Sequence, residues 1–255
     1  MNNPGDDREI ERVRYNNRAG RLLAVSGGQL GSDGAASVDP VLRRPYLVYE
    51  DLVRSSTRPG LTVLELCCGD GLHSLTAARA GADVTASDIA ENSLALARQR
   101  ASRAGLTLRT VAANAEKLPL PDASFDLVTC AGSLSYVDLE SLLAELRRVL
   151  RPGGAFIIVD SLNQNPVYRF NRWLHFLRSR STLRRMPTQA TLERIRADYP
   201  DLKVSYHGIF SFLAPVLSPL GKERAARWLD DWDACLPGLR HHAFKVGGIG
   251  HRPEK

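Results

Sequence analysis

Two apolar rhythms alternate along the middle of the chain. Nearly continuous apolar runs at 61–67, 83–88, 106–112, 127–131 and 155–161 predict buried strands, and helical spacing at 72–80, 91–104 and 138–150 predicts helices between them. Strands alternating with helices over short connections imply a parallel sheet covered on both faces, with its ligand crevice at the carboxyl ends of the strands. Upstream, 8–22 has helical spacing with thin hydrophobicity, and 26–37 is a Gly/Ser-rich loop placed to fold over such a crevice as a lid. Asp39 and Pro40 predict a cap and first turn for a helix to about Ser55, with Tyr46, Leu47 and Val48 on or near its buried side. After Asn165 the rhythm changes. A basic, aromatic helix is predicted over 166–178, then strands at 204–212 and 242–249 separated by a helix over 221–235.

A length of 255 residues, 44% hydrophobic, suits one α/β domain with a sizeable core. The expected division is an N-terminal helical cap and lid over 1–58 and a core over 59–255, carrying a substrate-binding insertion at about 162–200. Residues 1–8 are polar and charged, and no run approaches the roughly 20 apolar residues that span a bilayer, so a cytoplasmic protein with no membrane partner is expected. Cys67, Cys68, Cys130 and Cys235 form neither a CxxC pair nor a zinc spacing, which predicts reduced thiols and no metal. The net charge of +6 is unevenly placed. Between Tyr168 and Arg196 the basic residues Arg169, Arg172, Arg178, Arg180, Arg184, Arg185, Arg194 and Arg196 face one acid, Glu193, which reads as a solvated helix face or an anion-seeking surface.

The first strand breaks into Glu65-Leu66-Cys67-Cys68-Gly69-Asp70-Gly71 just before a helix. Glycines in such a turn let backbone approach a ligand, and Asp88, at the end of the next strand, stands where an acid can accept both hydroxyls of a ribose. In this turn, in Asp88, in Asn114-Ala115-Glu116-Lys117-Leu118-Pro119, in Ser124-Phe125-Asp126-Leu127-Val128 and in Leu150-Arg151-Pro152-Gly153-Gly154, the chain resembles the class I S-adenosylmethionine-dependent methyltransferases. The resemblance covers about 60–160. Cys67 stands where the family usually has its first glycine, a departure that a φ below zero at 67 would accommodate.

The resemblance implies a Rossmann-like, doubly wound, mostly parallel seven-stranded sheet with a terminal antiparallel strand. It implies S-adenosyl-L-methionine as cofactor and S-adenosyl-L-homocysteine as product. Cys67, Gly69, Asp70, Gly71, Ile89 and Glu116 would line the cofactor site, with Glu65 helping to hold the methionine amino group. Asp88 would meet the ribose, and Asn114 and Ala115 the adenine edge. Carbonyls at Ala131 or Gly132 would accept from the methionine ammonium, and Tyr15 would pack on the cofactor. Each has a plainer reading: turn glycines at 69 and 71, a helix cap at Asp88, a turn residue at Asn114, a packing aromatic at Tyr15.

For the acceptor, the resemblance points to Ser135 and Tyr136. The polar stretch 160–169 is expected to line its pocket, with Asn163 and Tyr168 as contacts and Arg169 and Arg172, three apart on a helix, as a clamp for an anionic group or as a solvated pair. Where the acceptor starts protonated, a base is needed, and Tyr136, His73, His175 and His207 are the candidates, each weighed against a structural histidine or tyrosine.

The leading reading is methyl transfer to an oxygen or nitrogen of a small molecule such as a sugar or specialised metabolite. A nucleic-acid methyltransferase is disfavoured: Gly132-Ser133-Leu134-Ser135-Tyr136 lacks the Pro-Pro-aromatic segment of many amine-directed base methyltransferases, and no Pro-Cys pair marks a cytosine-carbon enzyme. A nicotinamide dehydrogenase would need Gly69-Asp70-Gly71-Leu72-His73-Ser74 to end in Gly. A relative that binds the cofactor without turnover is the remaining alternative.

Overall fold

A computed structural model describes residues 4–25, 34–175 and 185–254, with side chains over 9–24, 34–170 and 185–254. The elements are α1 (Pro4–Val25), α2 (Pro40–Ser56), β1 (Thr62–Leu66), α3 (Ser74–Arg79), β2 (Asp83–Asp88), α4 (Glu91–Arg103), β3 (Arg109–Ala112), β4 (Phe125–Ala131), α5 (Leu139–Val149), β5 (Leu150–Ser161), α6 (Pro166–His175), α7 (Gln189–Asp198), β6 (Lys203–His207), α8 (Lys222–Cys235) and β7 (Lys245–His251).

Side chains alternate across the strands with period two, and each face builds its own core. Leu64, Leu66, Val128, Phe156 and Ile158 pack with the α5 stripe Leu142, Leu143, Leu146 and Val149. Val63, Leu127, Ile157 and Val159 pack on the other face with Tyr49 and Val53 of α2 and Leu75 of α3. Burying each such side chain contributes about 1.5–3 kcal/mol. The α5 helix starts where Asp138 accepts the Ser141 N–H at 2.9 Å, a cap worth about 1 kcal/mol.

The seven strands run in the order β3-β2-β1-β4-β5-β7-β6. All neighbours from β3 to β5 are parallel, and β7 is antiparallel to both β5 and β6. The sheet is thus Rossmann-like and mostly parallel. Its antiparallel strand, last in the chain, lies one place in from the edge. Because β7 enters beside the carboxyl end of β5, with Lys245 opposite Ser161, its first residues join the ligand end of the sheet.

Several expected boundaries shift. The strand expected over 204–212 ends at His207, and a short 3-10 turn, Ser211–Leu213, follows. Leu47 is exposed, and the buried face of α2 is instead Pro45, Tyr49 and Val53. The lid expectation falls mostly on 26–33, outside the described residues, while Gly34–Ser37 forms a 3-10 turn whose Gly34 N–H donates to the Leu72 carbonyl at 2.7 Å. α1 reaches across to α4, where the Asn92 N–H and side-chain amide donate to Asn16 at 3.0 and 3.1 Å. Among the described residues, no helix is long and apolar enough to cross a membrane.

Candidate functional site

A cavity of about 320 Å³ opens at the carboxyl ends of β2, β1 and β4, roofed by α1 and bounded at one end by α2. Its floor is the turn after β1. Gly69 has φ +55°, and a Cβ there would meet nothing within 4 Å, so main chain is open to the cavity. Cys67 has φ +51°, in the left-handed region that favours glycine. The expectation of a negative φ at 67 is therefore corrected: the turn keeps the glycine conformation although a side chain occupies the position. The residue lines the cavity and packs against the core on the α5 face, and burial, with Asp88 nearby, pushes the thiol's pKa up to about 12. Gly71 is not on the cavity wall. At φ +75°, a Cβ there would lie 2.7 Å from the Ala97 Cβ, so its bareness serves the packing of the turn on α4.

Asp88 is not the N-cap of α4, a place taken by Ala90, and its carboxylate instead bridges two main-chain segments. One carboxylate oxygen accepts the Ala90 N–H at the start of α4 and the other accepts the Gly69 N–H, each at 2.8 Å, while the residue lines the cavity. The carboxylate thereby ties β2 to the glycine turn. Burial raises its pKa, against the pull of these backbone donors. Ile89 continues the wall beside it. Asn114 likewise combines a turn role, accepting the Glu116 N–H at 3.0 Å, with a place on the wall next to Ala115 and Glu116. Glu116 in turn accepts the Asp138 N–H at 3.0 Å.

Glu65 is 3% exposed, lines the cavity, and its Oε2 has no hydrogen-bond partner. Burial pushes its pKa up to about 7. An orphaned, buried carboxylate oxygen is costly, and a cationic group entering the cavity would relieve that cost. Ala131 and Gly132 close the floor beside it, and Asp70 sits at the rim, held by Arg100 at 3.4 Å. Over the cavity, Tyr15 of α1 meets Tyr136 edge to face at 6.1 Å, with Glu11 one helical turn earlier on the same wall.

At the α2 end, His73 lines the cavity with Tyr46 and Leu72. Its Nδ1 lies 3.1 Å from Glu50 Oε1, which also accepts the Ala35 N–H at 2.7 Å. The His73 ring stacks on Tyr46 at 5.3 Å and meets Tyr49 edge-on at 5.5 Å. With Glu50 accepting from Nδ1–H, the lone pair of His73 is left on Nε2. Tyr46, Glu11, Cys68, Ser133 and Val137 on the wall, and Glu50 behind His73, were not among the predicted site residues. Glu11 carried a readable signal, standing four residues before Tyr15 on one helix face. Glu50 and Tyr46 carried none beyond helical spacing.

Of the expected acceptor contacts, Tyr136 lies on this wall and the others described do not. Ser135 is buried in a 3-10 turn off the wall. The Tyr168 hydroxyl donates to Ser211 at 2.9 Å, its ring stacks on Phe244 at 3.9 Å, and it lines a separate cavity with Phe212 and Lys222. Asn163 is half-buried, off the wall, with its N–H on the Pro187 carbonyl. Arg169 is exposed and off the wall, and the side chains of Arg172 and His175 lie outside the described residues. The polar stretch around them is consumed by structure: Asp160 accepts the Leu134 and Ser161 N–H groups, and Asn165 donates to the Ile209 and His242 carbonyls. His207 belongs to another cavity, beside Arg44 and Asp230, where burial pushes its pKa down to about 4. Of the basic run, Arg194 is spent on Glu140 and Asp198 at 2.6 and 3.3 Å.

Residues 64–158 match the family described as a methyltransferase domain. Over 111 residues, covering 42% of this chain and 43% of the relative, the chain is 40% identical to a ubiquinone/menaquinone biosynthesis C-methyltransferase of Bordetella avium. The chain spans less than half the length of the curated relatives it matches. In fold it resembles the geranyl diphosphate C-methyltransferase of Streptomyces coelicolor A3(2), solved with S-adenosyl-L-homocysteine (TM-score 0.64, 19% identity, 96% of this chain and 98% of that one). It resembles the [4+2]-cyclase SpnF equally well (TM-score 0.64, 19% identity, 98% and 97%). Residues 64–158 thus resemble a methyltransferase domain, and the chain has the Rossmann-like methyltransferase fold.

Proposed function

We propose that the protein transfers a methyl group from S-adenosylmethionine to a small-molecule acceptor. The observation that carries this is Glu65 Oε2, a buried carboxylate oxygen without a partner at the mouth of an open glycine turn, which suits the ammonium of an amino-acid ligand. When bound, the cofactor supplies an electrophilic sulfonium methyl. Asp88 would hold the ribose hydroxyls, with Ile89, Asn114, Ala115 and Glu116 around the base. Glu65 and the main chain at Cys67, Gly69, Ala131 and Gly132 would hold the amino-acid part, with Asp70 at its rim. Tyr15 and Tyr136 would exclude water from above. Gly71 acts on this site by allowing the turn to sit on α4.

The protein's task is alignment, since holding the two reactants in line supplies up to about 7–11 kcal/mol. For an acceptor that starts protonated, His73 Nε2 takes the proton, oriented by Glu50 on Nδ1. Tyr136 is the second candidate, as a donor that positions the acceptor from above. The Bordetella relative is by name a C-methyltransferase, so an enol or phenol carbon joins oxygen and nitrogen as the atom to be methylated. Such a carbon becomes nucleophilic on loss of the hydroxyl proton, which gives His73 its work.

The test is a screen for acceptor-dependent release of S-adenosylhomocysteine across phenols, enols, alcohols and amines, with mass detection of the methylated product. A product that disappears in His73→Ala supports the reading. Tight cofactor binding with no methylated product from any class would favour a non-methylating relative, a possibility to which the SpnF cyclase likeness gives substance.

A further inference from the structure

Lys245, the first residue of β7, is a buried cation at 8% exposure. Its Nζ donates to the Tyr46 hydroxyl at 2.9 Å and lies 4.8 Å from the Tyr46 ring centroid and 5.8 Å from that of Phe244. Among the described residues no carboxylate pairs with it. Desolvating an ammonium is costly and aromatic faces offset only part of that cost, so the cation lacks a counter-charge. Tyr46 lines the cavity and stacks on His73. Because its oxygen accepts from Lys245, the phenolic O–H is turned to another acceptor, and none among the described residues takes it. A proton donor backed by a buried positive charge thus stands on the cavity wall beside His73.

Its place in the sheet separates it from the proposed cofactor groups. Asp88, Glu65 and Ala131 end β2, β1 and β4, whereas Lys245 is opposite Ser161 at the end of β5, three strands and about 14 Å from β1. We propose that Tyr46 and Lys245 form an anionic-oxygen site, at which the acceptor is held by a carboxylate, phenolate or enolate oxygen. This takes up the role expected of Arg169 and Arg172, and it rests on the methyltransferase reading for the identity of the ligand as acceptor. The same chemistry fits one other source, the amino-acid carboxylate of the cofactor, and the test separates the two.

Wild type, Lys245→Met and Tyr46→Phe are titrated calorimetrically with S-adenosylhomocysteine, with 5′-methylthioadenosine, which lacks the amino-acid end, and with sodium benzoate in the presence and absence of S-adenosylhomocysteine. Thermal melts check folding, and Tyr46→Phe, which keeps the ring stack, decides if Lys245→Met does not fold. Benzoate affinity reduced about tenfold or more in the variants, with S-adenosylhomocysteine affinity unchanged, supports an acceptor site. Loss of S-adenosylhomocysteine affinity with that for methylthioadenosine retained supports the anion site and assigns it to the cofactor carboxylate. Unchanged affinities throughout, or no benzoate binding together with unchanged S-adenosylhomocysteine affinity, overturns it. A wild type that binds neither adenosine compound overturns the methyltransferase reading instead, and the benzoate arm alone then decides the anion site.

Discussion

At the Asp88 end of the cavity, side-chain oxygens accept main-chain N–H groups no more than 22 positions away: Asp88 holds the turn after β1, Asn114 braces its own loop, and Glu116 holds the residue before α5. At the Tyr46 end, side chains from α2, the start of α3 and β7 meet across long stretches of chain, through ring stacking, Glu50 and a buried lysine. The first end is built from adjacent strand ends that the parallel sheet brings together in any case. The second exists only because α2 packs over β5 and β7. A scaffold of this kind can keep one ligand through its backbone while the other end changes with a few distant side chains.

The sharpest way to break the comparison is Asp88→Ala, which should cost about 100-fold or more in S-adenosylhomocysteine affinity, since two charge-assisted hydrogen bonds at about 1.5–3 kcal/mol each are lost. The melting temperature should fall too, because the Gly69 and Ala90 N–H groups lose their acceptor. An unchanged affinity would place the ribose elsewhere. Gly71→Ala should destabilise by about 2–4 kcal/mol, combining overpacking against Ala97 with a left-handed φ, read as a drop in urea midpoint. At the other end, His73→Ala should leave cofactor affinity within about threefold of wild type while abolishing turnover of protonated acceptors, which separates the two ends functionally.

Glu65 gives a pH test. Its folded pKa of about 7 lies above the ordinary 4.5, so the folded state holds the extra proton between those values. Stability of the free protein from this group is therefore fully present below pH 4.5 and falls as pH rises to about 7, with a slope of at most about 1.4 kcal/mol per pH unit. Glu65→Gln should flatten that slope in urea titrations. A bound ammonium favours the ionised form, so cofactor uptake below pH 7 should release a proton, visible as a buffer-dependent binding enthalpy. The smallest effect is Cys67→Gly, which relieves a side chain at φ +51° and should raise stability by about 1 kcal/mol without altering affinity.

The Asp88 end was legible in the sequence because its determinants are contiguous: an apolar run, a glycine turn, an acid at the next strand end. A parallel sheet covered on both faces followed from the alternation of strands and helices. Cys67 misled in one respect, since residue type suggested a negative φ where the turn enforces a positive one. The Tyr46 end was illegible because Tyr46, Glu50, His73 and Lys245 are up to 199 positions apart, and spacing encodes no contact between α2 and β7. Arg169 misled for the converse reason: two arginines three apart say that they share a helix face, and nothing about which way that face points.

The central claim is that this cavity takes S-adenosylmethionine, and calorimetric titration with S-adenosylhomocysteine and NAD in parallel tests it most directly. The account predicts micromolar binding of S-adenosylhomocysteine, lost in Asp88→Ala, and none of NAD. Binding of NAD alone, or S-adenosylhomocysteine affinity indifferent to Asp88, would contradict it.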